Sequence, residues 1–172
     1  DLDDFCDEFA IRRSFSVPYV PAQNSHAERS WGILLHTVRT LLHHSDIPER
    51  FWTYTMAHAV HLHNVLPSAK THNDISPYEA LYDRKPRVGN LRVWGCLTWY
   101  YLPPTYRTSK LSPRAVPAIH LGIDPQRKGY LLFVPYLNSI TTGYHVLFNE
   151  KRFVTMGAAT LGDLKQGIEP LK

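Results

Sequence analysis

The hydrophobic period of this chain changes near Asn90, from mostly helical to mostly strand, and that change points to the α+β class. Before Asn90, apolar residues recur at steps of three and four behind recognisable helix-start signatures. After it, short runs rich in β-branched and aromatic residues alternate with turn residues. The 172 residues suit one medium domain or two small ones.

In the first part, Ala27, Trp31, Leu34, Leu35, Val38, Leu41 and Leu42 make one stripe over about 26–44. Trp31 and the leucines are expected to be core. Asp46-Ile47-Pro48-Glu49 predicts a second helix to about Val65, with Asp46 as cap and Pro48 in the first turn. Ser76-Pro77-Tyr78-Glu79 predicts a short third helix to about Tyr82. Upstream, Leu2, Phe5, Cys6 and Phe9 have helical spacing, and the alternation over 11–17 predicts a strand that ends at Pro18. In the second part, 91–101, 116–123, 130–134 and 140–148 are the expected strands of a small barrel or half-sandwich. The Gly-containing stretch after about Val154 reads as a tail or linker.

Charge is unevenly placed. Net charge is +4 and the pI about 9.1. Asp1, Asp3, Asp4, Asp7 and Glu8 put −5 into the first eight residues, which leaves +9 on the other 164. A basic body suits a polyanionic partner, or is ordinary solvation. No apolar run approaches the ~20 residues of a membrane span, and no basic-then-apolar leader is visible. The start at Asp1 without Met reads as a fragment or a processed product. Cys6 and Cys96 lie far apart with no C-x-x-C, so buried thiols in a reducing compartment are expected. His58, His61 and His63 cluster on one predicted helix, but H-E-x-x-H and Cys/His zinc spacings are absent.

One polar stretch runs straight into the long helix: Pro18-Tyr19-Val20-Pro21-Ala22-Gln23-Asn24-Ser25-His26-Ala27-Glu28-Arg29. The spacing leaves two readings of Glu28 open. Ser25-x-x-Glu28 is a capping-box pattern. A carboxylate in a first helical turn is also a candidate ligand for a metal that handles phosphodiesters.

The whole stretch resembles the P-Y-x-P-x-Q-N-G-x-x-E-R that ends the catalytic core of copia-type retrotransposon integrases, members of the DDE polynucleotidyl transferase superfamily, with Ser25 where Gly is usual. The resemblance continues over about 5–150. Phe51-Trp52 with Ala59-Val60 and His63-Asn64 is similar to the family's F-W-x-x-A…A-x-x-x-x-N helix, and Ser76-Pro77-Tyr78-Glu79 with Lys85-Pro86 to its T-P-Y-E…K-P. Leu91-Arg92-Val93-Trp94-Gly95-Cys96 resembles its L-R-x-F-G-C. Lys110-Leu111, Leu121-Gly122, Lys128-Gly129-Tyr130 and Val146-Leu147-Phe148-Asn149-Glu150 follow in the family's order. His120 stands where an aromatic is usual and Ile123 where Tyr is usual.

The resemblance implies a truncated, mostly helical ribonuclease-H-like core at 1–87, an SH3-like β-barrel at 88–154 and a tail at 155–172. It makes Glu28 the third catalytic acid and a metal ligand, in a site for two Mg²⁺ or Mn²⁺ ions. One carboxylate cannot hold two ions. The family's second Asp lies farther upstream than the 27 residues that precede Glu28 here, and Asp1, Asp3, Asp4 and Asp7 read as a solvated face.

The expectation is therefore an integrase fragment that serves DNA integration by metal-dependent strand transfer and is inactive alone. Gln23, Asn24, His26, Arg29 and Arg39 are the implied DNA contacts. Arg107, Lys110, Arg114, Arg127 and Lys128, interleaved with Tyr100, Tyr101, Tyr106 and Tyr130, offer a second basic surface. Implied partners are DNA at the element ends and the target, and the missing upstream half. Self-association is compatible with the reading, a membrane is not expected, and the implied location is nuclear or cytoplasmic. Two rivals remain: a non-catalytic DNA-binding transposon remnant, and an SH3-like protein-interaction module.

Overall fold

Among the described residues, four α-helices precede a five-stranded antiparallel sheet: α1 (Leu2–Glu8), α2 (Ser25–Ser45), α3 (Trp52–Val65), α4 (Pro77–Tyr82), then β1 (Cys96–Tyr101), β2 (Ala115–Ile123), β3 (Tyr130–Val134), β4 (Ser139–Gly143) and β5 (Val146–Phe153). The structure is a computed structural model that describes residues 1–15, 17, 18, 24–68, 74–107 and 109–154. The tail expected at 155–172 and the candidate contact Gln23 lie outside the described residues. The chain divides into two compact units, Asp1–Ile33 and Leu34–Lys172.

In the first unit, Cys6 is buried, whereas Leu2, Phe5, Phe9, Ile11 and Phe15 are exposed. Arg13 pairs with Asp3 and, more loosely, with Asp7. The described residues of 11–17 form no strand, although their alternation predicts one. Alternation names two faces, but a strand exists only where a neighbouring strand takes up its backbone groups. Ile11 instead donates its N–H to the Cys6 carbonyl and closes α1.

The second unit begins inside α2. The helix buries Val38 and Ser45 and half-buries Leu34, Leu35, Leu41 and Leu42. Trp31, placed in the core by the stripe, is 51% exposed. Periodicity identifies an apolar face without saying how far along the helix that face is covered. Asp46 does not cap the next helix, as the sequence suggested. It ends α2 in the left-handed conformation (φ 53°), and Ile47 N–H bonds back to the Leu42 carbonyl. That is the closing geometry of a Schellman motif, and Asp tolerates it better than most side chains. A 3₁₀ turn at Glu49–Phe51 then leads into α3, with Pro48 preceding it and no side-chain cap. Ser76 does cap α4, accepting from Glu79 N–H at 3.1 Å.

The strands lie in the order β4-β3-β2-β1-β5. β2 is central and buried on both faces, so its residues lack a clean in-out alternation. Leu97, Ile119, Leu121 and Phe133 pack with Ile47 and Phe51 from the helical segment. Val116, Ala118, Leu132 and Val134 form a second cluster with Leu102. Helical residues from before residue 87 and strands from after it therefore share one core. Two strand bounds differ from expectation. The run at 91–101 becomes a strand only at Cys96, after a turn at Trp94-Gly95. The run at 140–148 divides into β4 and β5 around Tyr144 and His145. At Gly143 any side chain would sit 2.8 Å from Leu132 Cδ1 and 2.9 Å from Val146 Cγ2.

Candidate functional site

The start of α2 presents the candidate acid. Ser25 lies inside the helix, whereas a capping residue would flank it, and among the described residues no hydrogen bond joins Ser25 to Glu28. The capping box is therefore not formed. Glu28 occupies the first turn and is exposed, and its carboxylate makes no hydrogen bond or ion pair among the described residues. One turn on, Gly32 has nothing within 4 Å of where a side chain would begin. Residues four apart share a helix face, so the face that carries Glu28 is open. Asn24, His26 and Arg29 are exposed beside it, and His26 and Arg29 are three apart on a neighbouring face. The His26 carbonyl accepts from Ser30 Oγ at 2.9 Å. The first-turn N–H groups and the helix dipole favour anions here. Those same groups favour a carboxylate such as Glu28 without any ligand.

Arg39 belongs to the other unit. It lines an open groove of about 360 Å³ between α2 and α3, over Leu35, Val38, Leu42 and Trp52.

Among the described residues no three His, Cys, Asp or Glu side chains converge to hold a metal ion. A single carboxylate at Glu28 does not fit a two-ion site on its own. The described histidines of α3 behave otherwise. His58 is buried, His61 half-buried and His63 exposed, so the three share no site. His58 instead meets His120 of β2, with ring centroids 6.1 Å apart, and lies 6.5 Å from His61. Burial, then the neighbouring His120 and His61, lower the His58 pKa to about 4. Burial likewise lowers His61 and His120. His120 has both ring nitrogens against carbonyls, Val93 at 3.2 Å and Gly122 at 3.1 Å. The local signal for this pairing is no more than a histidine in an otherwise apolar strand.

The basic residues of the sheet separate into two kinds. Arg107 is tied inward: its Nε and Nη2 donate to the Leu102 carbonyl at 2.9 and 2.7 Å, and its guanidinium lies 4.7 Å from the Tyr101 ring. Lys110, Arg114, Arg127 and Lys128 are exposed, as is Tyr106. Trp94 is core; its indole N–H donates to the Leu121 carbonyl at 3.0 Å.

Comparison with known proteins adds ancestry to this geometry. Residues 96–157 match the family described as the retroviral polymerase SH3-like domain. The chain is 31% identical over 152 residues, 88% of its length, to the retrovirus-related Pol polyprotein from transposon RE1 of Arabidopsis thaliana. It is 29% identical over 171 residues, 99% of its length, to that from transposon TNT 1-94 of Nicotiana tabacum. It covers 10% and 13% of those two polyproteins. No solved structure matches the chain. The chain belongs with the retrovirus-related Pol polyproteins of copia-type retrotransposons, and it carries their SH3-like domain from residue 96.

Proposed function

We propose that this segment is the end of a ribonuclease-H-like integrase core joined to an SH3-like domain, and that it serves DNA integration by binding DNA and supplying Glu28 to a site completed by another segment. One observation supports the reading: Glu28 is exposed at the start of α2 with no hydrogen bond or ion pair among the described residues, beside the exposed Asn24, His26 and Arg29. A carboxylate that only capped its helix would be folded back onto the backbone. The exposed Leu2, Phe5, Phe9 and Phe15 support the core assignment, because such residues belong under cover in a complete core. The residues here do not fit a two-ion site alone, so no catalytic step is assigned to this chain by itself. With two further carboxylates from upstream, Glu28 is the third ligand for Mg²⁺ or Mn²⁺, the ions that oxygen donors favour.

The test is complementation. The chain is mixed with an upstream integrase segment that carries the two strand-borne acids, and joining of a labelled DNA end is followed with Mg²⁺ or Mn²⁺. The chain alone gives no joining; the mixture does, and Glu28→Gln abolishes it. Joining by the chain alone, or a mixture indifferent to Glu28→Gln, overturns the proposal. Binding is tested separately. The affinity for duplex DNA falls steeply with salt, and Arg29→Ala reduces the slope of log K against log salt by about 1. An affinity flat in salt overturns the DNA reading and favours the protein-interaction module.

A further inference from the structure

The groove between α2 and α3 is not used by the reading above. Val38 forms its floor and is 4% exposed, and Trp52 stands at its side 49% exposed. A half-open tryptophan beside a concave apolar surface is a usual anchor for a docked segment. Arg39 and His43 project from α2 at one end of the rim, and Asp46 and Glu49 stand at the other. Among the described residues neither Arg39 nor Glu49 forms an ion pair.

The end of β5 points to the occupant. Val154, the last described residue, is 8% exposed and packs in one cluster with Ile47 and Phe51. The Phe153 ring meets His44 edge-on at 4.8 Å. Ile47 also lines the groove, next to Asp46 and Glu49. The sheet therefore ends beside the acidic end of the groove. Eighteen residues, 155–172, follow in the sequence. Among them Leu161, Leu164 and Ile168 recur at steps of three and four. At that period Lys165 and Glu169 flank the apolar stripe, and Asp163 falls opposite it. The six residues between Val154 and Leu161 span up to about 24 Å, and the rim from Arg39 to Asp46 is about 10 Å long. Entering from the acidic end, Lys165 comes first and Glu169 second, which is the order that the rim charges require.

We infer that residues 161–169 of the same chain occupy this groove, antiparallel to α2, with Leu164 over Val38 beside Trp52, Lys165 toward Glu49 and Glu169 toward Arg39. So small a patch holds a free peptide weakly. A short covalent link offsets this, because it raises the local concentration of the segment to the order of mM. The docked segment ties the end of the SH3-like sheet back onto α2 and α3.

Disulfide trapping in the full chain tests this, in a Cys6→Ser background with Cys96 left in place because it is buried. Lys165→Cys is paired with Glu49→Cys on the rim, or with Leu111→Cys, which is 96% exposed and outside the groove. Oxidised glutathione is added, and the disulfide within one chain is followed by mass. The Glu49→Cys pair closes about tenfold faster or more than the Leu111→Cys pair, at a rate independent of protein concentration. Leu164→Asp removes that advantage, and it alters no residue of the described core, so the loss is not a loss of folding. Arg39→Glu slows closure, and adding Glu169→Arg to the same chain restores it. Equal rates for the two pairs overturn the inference, as does indifference to Leu164→Asp or a disulfide formed only between chains. Complementation and salt-dependent DNA binding are read in separate assays, so either proposal can fail without the other.

Discussion

Gly95 rests on the side chain of Ser45. At Gly95 the backbone has φ 79°, and a Cβ there would meet Ser45 Cβ at 2.4 Å, Ser45 Oγ at 2.8 Å and Ile47 Cδ1 at 2.9 Å. Ser45 closes α2, with its hydroxyl donating to the Leu41 carbonyl at 2.7 Å. The glycine of the Leu91-Arg92-Val93-Trp94-Gly95-Cys96 motif is thus where the entry to the sheet touches the end of the long helix.

Gly95→Ala suffers both from left-handed backbone and from overpacking, and is expected to cost about 3 kcal/mol or more of stability. Adding Ser45→Gly removes the collision but leaves the backbone strain, so the double variant recovers part of the loss. Chemical denaturation of the four chains measures this. Full additivity of the two changes would show that the residues do not touch.

The histidine contact predicts acid sensitivity. The His58 pKa is lowered to about 4 from 6.5, chiefly by burial, so below pH 6.5 the unfolded chain binds the proton that the folded chain refuses. The contribution is complete above pH 6.5 and is lost as pH falls toward 4, by up to about 3 kcal/mol. His61 and His120 are lowered too and act in the same direction. Denaturation midpoints between pH 7.5 and 4 check it, and His58→Gln flattens the slope.

Cys96 is fully buried, and burial together with nearby Glu150 pushes its thiol up to about 12. The thiolate is the reactive form. In a Cys6→Ser background a disulfide-exchange reagent is expected to leave the native protein unmodified at pH 8 and to react at once in denaturant. Stoichiometric labelling of native protein would contradict the burial of this strand start.

Ser76 is 2% exposed and caps α4 through Glu79 N–H. Ser76→Ala is expected to cost about 1 kcal/mol, and Ser76→Asp to keep most of the stability. Thermal unfolding compares the variants; equal losses in both would mean that packing, not the cap, holds Ser76.

Local chemistry was readable in the sequence. Residues 130–134 alternate with turns and form β3 at those bounds, and Ser-Pro-Tyr-Glu caps α4, because strand bounds at turns and helix caps depend on residues a few positions apart. The period of the long helix was likewise legible, as was the carboxylate in its first turn. What the tertiary structure decided was who meets whom. The described residues of the run at 11–17 form no strand, because alternation alone does not supply a neighbouring strand. Asp46, a cap by spacing, became the left-handed end of the preceding helix because Ile47 turns back into the core. His58 and His120 stand 62 positions apart in the chain, and Gly95 and Ser45 fifty, so no local pattern could join them. Burial, pKa and close packing arise from such distant pairs, and only the folded chain brings them within reach.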